Sequence, residues 1–394
     1  MPPVVAAALV VFFEGLVLWA IFPTAYYYCL ELADGALPPN RLGLAVGLIF
    51  MLQGGPKVFF NPLFGRLSDH IGRRPVLALS CAGTLAASVA WALAPNIAWL
   101  LVSRAIAGVM GAQATLASAI VADTTPPQRR SAALGVLGAA FGFSMIIGPL
   151  TGGLVARYWS HAGVGWAGAA VQVLSLLTIW LWLRETRAPV AVDHPARRHV
   201  PLARLLAMPH VTPLLVVTFL MTFALAQFTT TLSGLAAQRY GYTEAQSGYA
   251  FALFGLLGVL TQGLGVRALA PRWGERALAL VGLLAMTIGI GMLSAILPPA
   301  ALWLSATLIA VGAALNTPAL TALVSGCAGD DRQGALLGVH QSATSLGRSI
   351  GAALAGWLFG SIGMSAPYVL AAAAGLLGAV LLLTSRPRPM STPS

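Results

Sequence analysis

The chain has 394 residues, 58% of them hydrophobic and 8% charged, with a formal net charge of +11. Water-soluble domains carry roughly 25% charged residues, so this composition excludes an ordinary soluble fold. The basic excess follows the loops between apolar runs rather than clustering as a nucleic-acid footprint.

A helix needs about 20 mostly apolar residues to cross a hydrocarbon core of ~30 Å. Twelve such runs occur, at 4–30, 42–64, 75–94, 97–121, 131–156, 163–183, 211–236, 246–269, 276–297, 300–324, 334–358 and 365–384. Runs this long match no barrel strand, and in lipid every backbone amide must be satisfied within its own segment, so each reads as a transmembrane helix. The expected fold is therefore an all-α integral membrane protein of twelve spans. The first run has no basic start and is too long for a signal peptide, so it reads as a retained span. Tyr26, Tyr27 and Tyr28 at its end read as an aromatic anchor at the outer membrane interface. Cys29, Cys81 and Cys327 have no metal-like spacing and read as small packing residues.

With the N-terminus inside, 16 of the 22 Lys and Arg fall in cytoplasmic loops or the tail, three (Arg41, Arg157, Arg239) fall outside, and three (Lys57, Arg104, Arg348) lie within spans. This asymmetry predicts that both termini are cytoplasmic. The one long polar interruption divides the chain into six spans at 1–183, a cytoplasmic linker at 184–210, and six spans with a short tail at 211–394. A basic loop follows span 2 (Gly65 to Arg74), and a degraded copy follows span 8 (Gly265 to Arg276). Two repeated bundles joined by a linker are the layout of a carrier that rocks about a central site. Abundant glycine, 43 residues, allows the close helix crossings that such packing needs.

The stretch Gly65 to Leu77, GRLSDHIGRRPVL, resembles the motif between spans 2 and 3 of major facilitator transporters. Arg104 to Gly108 resembles the span 4 motif built around an intramembrane arginine. Gly135 through Gly148, Pro149, Gly152 and Gly153 resembles the span 5 motif associated with antiporters. With Ile120 to Asp123 and Trp273 to Glu275, the pattern is most similar to the tetracycline/proton antiporter branch. The resemblance implies two six-helix bundles, alternating access and a drug/proton antiporter of the bacterial inner membrane. It differs in carrying His70 and Ser144 at motif positions usually filled otherwise, and no acidic residue in spans 3 and 9.

Glu14 is the one acidic residue deep within a span, about 15 Å along span 1 at 1.5 Å per residue. A charge near the membrane centre costs ~2.5–3.5 kcal/mol on insertion scales and is usually functional or paired. Glu14 is the leading proton-coupling candidate, with Arg104 beside it through its motif. Gln53, Lys57 and Asn61 recur at helical spacing and share one face of span 2. Lys57 either pairs with Glu14, binds an anionic group on substrate, or snorkels to the headgroups. In span 11, His340, Thr344 and Arg348 repeat with the same spacing. Gln227, Gln262, Asn316 and Gln341 are further candidates for a substrate cavity, with Arg348. Gly65, Asp69, Gly72, Arg73 and Arg74 are read as a gate that holds the bundles together, with Asp123 and Arg129 as a second charge pair. Gly135, Gly148, Pro149, Gly152 and Gly153 are read as packing and kink positions of span 5.

Two functions stay open: a proton-driven exporter of a hydrophobic or amphiphilic compound, and an exporter or flippase of an organic anion or lipid clamped by Lys57, Arg104 and Arg348. A receptor or scaffold without transport has little to support it. No phosphate-binding loop, metal cluster or nucleophile triad appears, so an enzyme is not expected and energy has to come from a proton gradient without a cofactor. The expected partners are a small-molecule substrate, protons and the lipid bilayer. A monomer suffices, because one chain holds both bundles.

Overall fold

The structure is a computed structural model that describes residues 2–34, 37–186, 208, 211–327 and 330–384. Span 1 is a pair of helices, Pro3–Ala20 and Ala25–Ala33, separated by a turn at Pro23. There Thr24 Oγ1 donates to the carbonyls of Ala20 and Ile21. Span 2 joins Pro39–Gly54 to Lys57–Ile71, span 3 is Arg73–Ala92, and span 4 joins Ile97–Met110 to Gln113–Thr124. Spans 5 and 6 are Pro127–Tyr158 and His161–Trp182.

In the second half, span 7 is Val211–Tyr240, and span 8 runs through Glu244–Leu260 into a π-helical turn, Thr261–Gly265. The following helix, Val266–Ser294, is bent at Gly274, whose φ of 76° and ψ of 161° are not helical. That bend ends span 8 and begins span 9. Spans 10, 11 and 12 are Pro299–Ser325, Asp330–Ser361 and Ala366–Thr384. The twelve expected spans are all present, with ends that differ from the apolar runs by a few residues in either direction. The linker at 187–207 lies outside the described residues.

The two halves repeat each other. Span 1 packs on 5, 3 on 6 and 3 on 4 in the first; span 7 packs on 11, 9 on 12 and 9 on 10 in the second. The halves meet along spans 2 and 11 and along spans 5 and 8, which are equivalent pairs in the repeat. Leucines along the outer faces, such as Leu177, Leu181, Leu377 and Leu383, are exposed, forming the apolar belt expected in lipid.

Glycines show where the halves touch. A Cβ on Gly356 would lie 2.2 Å from Gly43 O, on Gly153 2.5 Å from Glu244 O, and on Gly255 2.4 Å from Met145 O. These close backbone approaches lie in the halves of spans 2, 5, 8 and 11 away from the basic loops. At the basic end of the same spans, a Cβ on Gly65, Gly135, Gly258 or Gly338 would meet nothing within 4 Å. The molecule is closed at the far end and open at the basic end.

The three tyrosines correct the reading of an aromatic anchor. All are buried, and Tyr26 and Tyr27 join the halves at the closed far end. Tyr26 Oη accepts from Gln238 Nε2 at 2.7 Å, and Tyr27 Oη donates to Tyr242 O at 2.7 Å while receiving from Ser247 Oγ at 3.0 Å. Ser233 Oγ adds a bond to Phe22 O at 3.0 Å. Tyrosine suits either role, because it buries a large ring and keeps one polar handle.

Candidate functional site: a buried carboxylate between two interrupted helices

Spans 2 and 4 are both interrupted at the depth of Glu14, and the two interruptions are packed together. In span 2, Pro56 has no N–H to offer the carbonyl of Leu52. Span 4 fills the place beside that carbonyl with Gly108, where a Cβ would lie only 2.1 Å from Leu52 O. Span 4 breaks three residues later. Gly111 has φ −78° and ψ 61°, and Ala112 N–H bonds Met110 O at 2.9 Å, an inverse γ-turn. Ser80 of span 3 clasps this break, donating its hydroxyl to Met110 O and accepting from Ala112 N–H.

The break gives span 4 a second helix N-terminus inside the bundle, with N–H groups free to bind an anion. Glu14 occupies it: Oε2 accepts from Ala114 N–H at 2.9 Å. Its other oxygen, Oε1, lies 3.1 Å from Lys57 Nζ. Glu14 therefore ties spans 1, 2 and 4 together. Of the three readings of Lys57, the structure shows the pairing; its ammonium lies beside Gly111 and does not reach the basic end.

Arg104 is buried, with its guanidinium 4.6 Å from the centroid of the Trp91 ring. Its Nη2 and Nε donate to Ser103 Oγ at 2.7 and 3.2 Å, and Ser103 Oγ in turn donates to Ala87 O at 2.8 Å. Among the described residues no carboxylate lies within 4.0 Å of Arg104. Cation–π stacking and a hydroxyl supply its partners instead. Sequence inspection missed Trp91 and Ser103, which carry no motif signal, and also Gln113, which donates to Thr84 Oγ1 at 2.8 Å.

Glu14, Lys57, Gln53, Ser88, Arg104 and Gln172 line a cavity of about 30 Å³. Water needs roughly 10–15 Å³, so this half-open cavity has room for water beside the carboxylate. Gln53 Oε1 is buried there without a hydrogen-bond partner. Asn61 lies further along the second helix of span 2, half-buried, with its Oδ1 also unpartnered.

The motif after span 2 forms a closed network within the first half. Arg73 is buried; Nε donates to Asp123 Oδ2 at 2.8 Å, Nη2 lies 2.9 Å from Asp69 Oδ1, and Nη1 donates to Ser68 Oγ at 2.6 Å. Asp123 is thus the partner of Arg73 and not of Arg129, with which the sequence reading paired it. Arg129 is exposed, with no carboxylate within 4.0 Å among the described residues. Glu185, unforeseen from sequence, accepts from the backbone N–H of Arg73 at 2.9 Å and of Arg74 at 3.1 Å, capping span 3. Gly72 makes room for it: φ is +103°, and a Cβ would sit 2.6 Å from Glu185 Oε2. Gly65 lies on the open side of the same helix.

In span 5, a Cβ on Gly148 would lie 2.8 Å from Trp19 Cβ, and one on Gly152 would lie 2.2 Å from Ala20 O, so span 1 lies tightly on it. Pro149 and Gly153 pack on span 8 instead, where a Cβ on Gly248 would lie 2.6 Å from Pro149 O. Ser144 is buried against Gly15, the neighbour of Glu14. Gly135 stands at the open end.

The second half carries no matching ion pair among the described residues. Gln227 is fully buried, with both amide atoms unpartnered, and Asn316 donates to Ala279 O at 2.7 Å across spans 9 and 10. Gln262 is exposed in the π-turn of span 8. Gln341 and Arg348 are exposed on one face of span 11, opposite Leu346 and Ile350; Thr344 is half-buried and His340 buried with Nε2 unpartnered.

Twelve spans in two repeated halves, meeting about a cleft that opens at one end, define a polytopic membrane carrier. The profile of the Major Facilitator Superfamily matches residues 4–304 and again 245–394, and the chain belongs to that family of transporters. The class E tetracycline resistance protein of Escherichia coli is 32% identical over 360 residues, covering 90% of this chain and 87% of the relative. The crystal structure of the human organic anion transporter MFSD10 (TETRAN) matches with a TM-score of 0.67 and 25% identity, over 96% of this chain and 98% of that one. A D-xylose–proton symporter matches with a TM-score of 0.78 and 17% identity, over 98% and 97%, which reflects the shared fold.

Proposed function

We propose that the chain is a proton-coupled antiporter that exports a small hydrophobic or amphiphilic compound from the cytoplasm by alternating access. The observation that carries this reading is Glu14, held between Lys57 and the N–H of Ala114 at a cavity with room for water. A carboxylate in that setting has two distinct states. Ionised, it is held by a lysine and a helix N-terminus; protonated, it releases both and frees spans 2 and 4 to move against span 1. Substrate then occupies the cleft between the halves, where Asn61, Gln262, Gln341 and Arg348 are available, and the proton occupies the chamber. The similarity to tetracycline resistance proteins supports a drug-like substrate.

Under the same proposal the protein resides in a bacterial inner membrane as a monomer. The basic end and both termini face the cytoplasm, the two bundles are bounded by 1–183 and 211–394, and no cofactor is needed. The network of Asp69, Arg73, Arg74 and Asp123 serves as the gate that meets the second half when the basic end closes. The test is a growth-inhibition and vesicle-transport panel of tetracyclines, dyes, phenicols, quinolones and lipophilic anions, comparing wild type with Glu14→Gln at matched expression. Uphill export by wild type and its loss in the variant, with substrate binding kept, is the expected result. Full uphill export by Glu14→Gln sinks the coupling role.

A second reading, export of an organic anion or lipid, draws on Lys57 and Arg104 facing one chamber with a single carboxylate, and on the similarity to an organic anion transporter. Lys57→Gln then weakens anionic ligands selectively; equal effects on neutral and anionic ligands count against it.

A further inference from the structure

At the closed far end, away from Glu14, one imidazole stands between two carboxylates from opposite halves of the molecule. His161, the first residue of span 6, is held by Ser160, whose side chain caps the helix, and by stacking on Tyr28 with ring centroids 5.6 Å apart. Its Nδ1 is in hydrogen-bond contact with Glu31 Oε2, from the second helix of span 1. Its Nε2 faces Glu244 Oε1 at 3.3 Å, an ion-pair distance at an angle short of a hydrogen bond. Glu244 opens span 8 and belongs to the second half; its backbone carbonyl also takes the close approach of Gly153.

A neutral imidazole has one N–H and one lone pair, whereas the imidazolium donates from both nitrogens. Two carboxylates on the two ring nitrogens are satisfied together only by the charged form. Neutral His161 bonds one of them and turns a lone pair toward the other. Histidine is also the side chain whose charge ordinarily changes between about pH 5 and 8. The other titratable groups facing the site are Tyr28 on span 1 and Tyr27, whose hydroxyl is engaged by Tyr242 and Ser247. Arg157 and Arg239, at the same end, have no carboxylate within 4.0 Å among the described residues. Among the described residues no neighbouring cation replaces the imidazolium between these two acids.

We infer that His161, Glu31 and Glu244 form a proton-operated latch across the two halves, closed when the imidazole is protonated and released when it is neutral. This is a second protonatable site, separate from Glu14, acting on the far-end opening and not on the solute. It goes beyond the proposed antiport and holds whichever compound is carried. In a working cycle, a proton taken up at the open far end would favour closure of that end and return of the carrier to the state described here. His161 is a positioning residue: it touches neither substrate nor the Glu14 chamber.

The experiment is a distance measurement by pulsed electron resonance between spin labels at Tyr158→Cys and Ile296→Cys. These residues are 81% and 90% exposed at the far ends of the two halves. The native cysteines are replaced by alanine, and the protein is purified in detergent at pH 5.5 and 8. Wild type is expected to shift from short distances at acid pH to a broadened, longer distribution at alkaline pH. His161→Gln and, independently, Glu244→Gln are expected to lose that shift, while Glu14→Gln keeps it. Each variant is first shown to elute as a folded, monodisperse species, and Glu244→Gln answers the question should His161→Gln not fold. A wild-type distribution unchanged between the two pH values overturns the latch. So does a shift that survives in His161→Gln, or one that disappears only in Glu14→Gln.

Discussion

Arg74 and Arg276 make the same bond in the two halves of the molecule. Each stands at the start of the third helix of its half and reaches the end of the sixth. Arg74 Nη2 donates to Trp180 O at 2.9 Å, and Arg276 Nη2 donates to Leu382 O and Leu383 O at 2.7 and 3.0 Å. Each also follows a glycine of positive φ, Gly72 at 103° and Gly274 at 76°. A cation at the C-terminus of a helix satisfies orphan carbonyls and opposes the negative end of its dipole.

Removing either contact is therefore expected to loosen one half only. Arg74→Ala and Arg276→Ala should each cost about 0.5–1.5 kcal/mol. The double variant should show the sum, since distant sites without shared partners add. Thermal unfolding of the four proteins in one detergent checks this. A double variant far less stable than the sum would mean that the two bundles unfold as one coupled unit.

Gly108 and Gly135 make a matched pair for testing the packing. A Cβ on Gly108 collides with the carbonyl of Leu52 at 2.1 Å, and backbone cannot swing aside; a Cβ on Gly135 meets nothing. Gly108→Ala is expected to lower stability by about 1–3 kcal/mol, the usual range for overpacking, and to disturb the Glu14 chamber beside it. Gly135→Ala is expected to leave thermal stability unchanged. Equal stability of the two variants in the same melting assay would refute the close crossing of spans 2 and 4.

The periodic and compositional features were legible in the sequence. Twelve apolar runs, the repeated loop and the lone deep carboxylate all come from patterns local to the chain. What escaped were partners fixed only by packing. Glu185 caps span 3 from more than a hundred residues away, and Trp91 and Ser103 receive Arg104 without any spacing that marks them. Asp123 lies near Arg129 in sequence yet pairs with Arg73, because the end of span 4 is carried against the loop after span 2. The tyrosine triplet fitted an interfacial belt equally well in composition; only the approach of spans 7 and 8 assigns Tyr26 and Tyr27 to the seam. Lys57 shared a helical face with Gln53, but the interruption at Pro56, and what span 4 places opposite it, turn that face toward Glu14.

The pairing of Lys57 with Glu14 predicts a pattern of stabilities in which two changes are milder than one. Lys57→Met leaves Glu14 with the Ala114 N–H as its remaining partner, and breaking a buried pair from one side costs on the order of 3 kcal/mol. Glu14→Gln combined with Lys57→Met removes both charges and should recover much of that loss. Melting temperatures of the two singles and the double, measured at one pH, check it. A double variant as unstable as the sum of the singles would show that the two residues act independently.

The tyrosine seam makes the last prediction. Tyr27 Oη crosses from span 1 to Tyr242 O and Ser247 Oγ at the start of span 8, so both contacts join the two halves at the closed end. Tyr27→Phe keeps the ring and its packing but removes the bonds, so it acts on the balance between closed and open forms more than on the fold of either half. A lost neutral hydrogen bond is worth about 1 kcal/mol net, or roughly a fivefold change in that balance. The expected result is faster thiol modification of a cysteine introduced at Ala245, buried in the first turn of span 8, with the melting temperature nearly unchanged. The comparison is made against the same cysteine in a Tyr28→Phe background, whose hydroxyl reaches Trp91 O within the first half and crosses no seam. If both phenylalanine variants change accessibility alike, the effect comes from general loosening of span 1. A change in Tyr27→Phe alone assigns to that hydroxyl a share in keeping the two halves together.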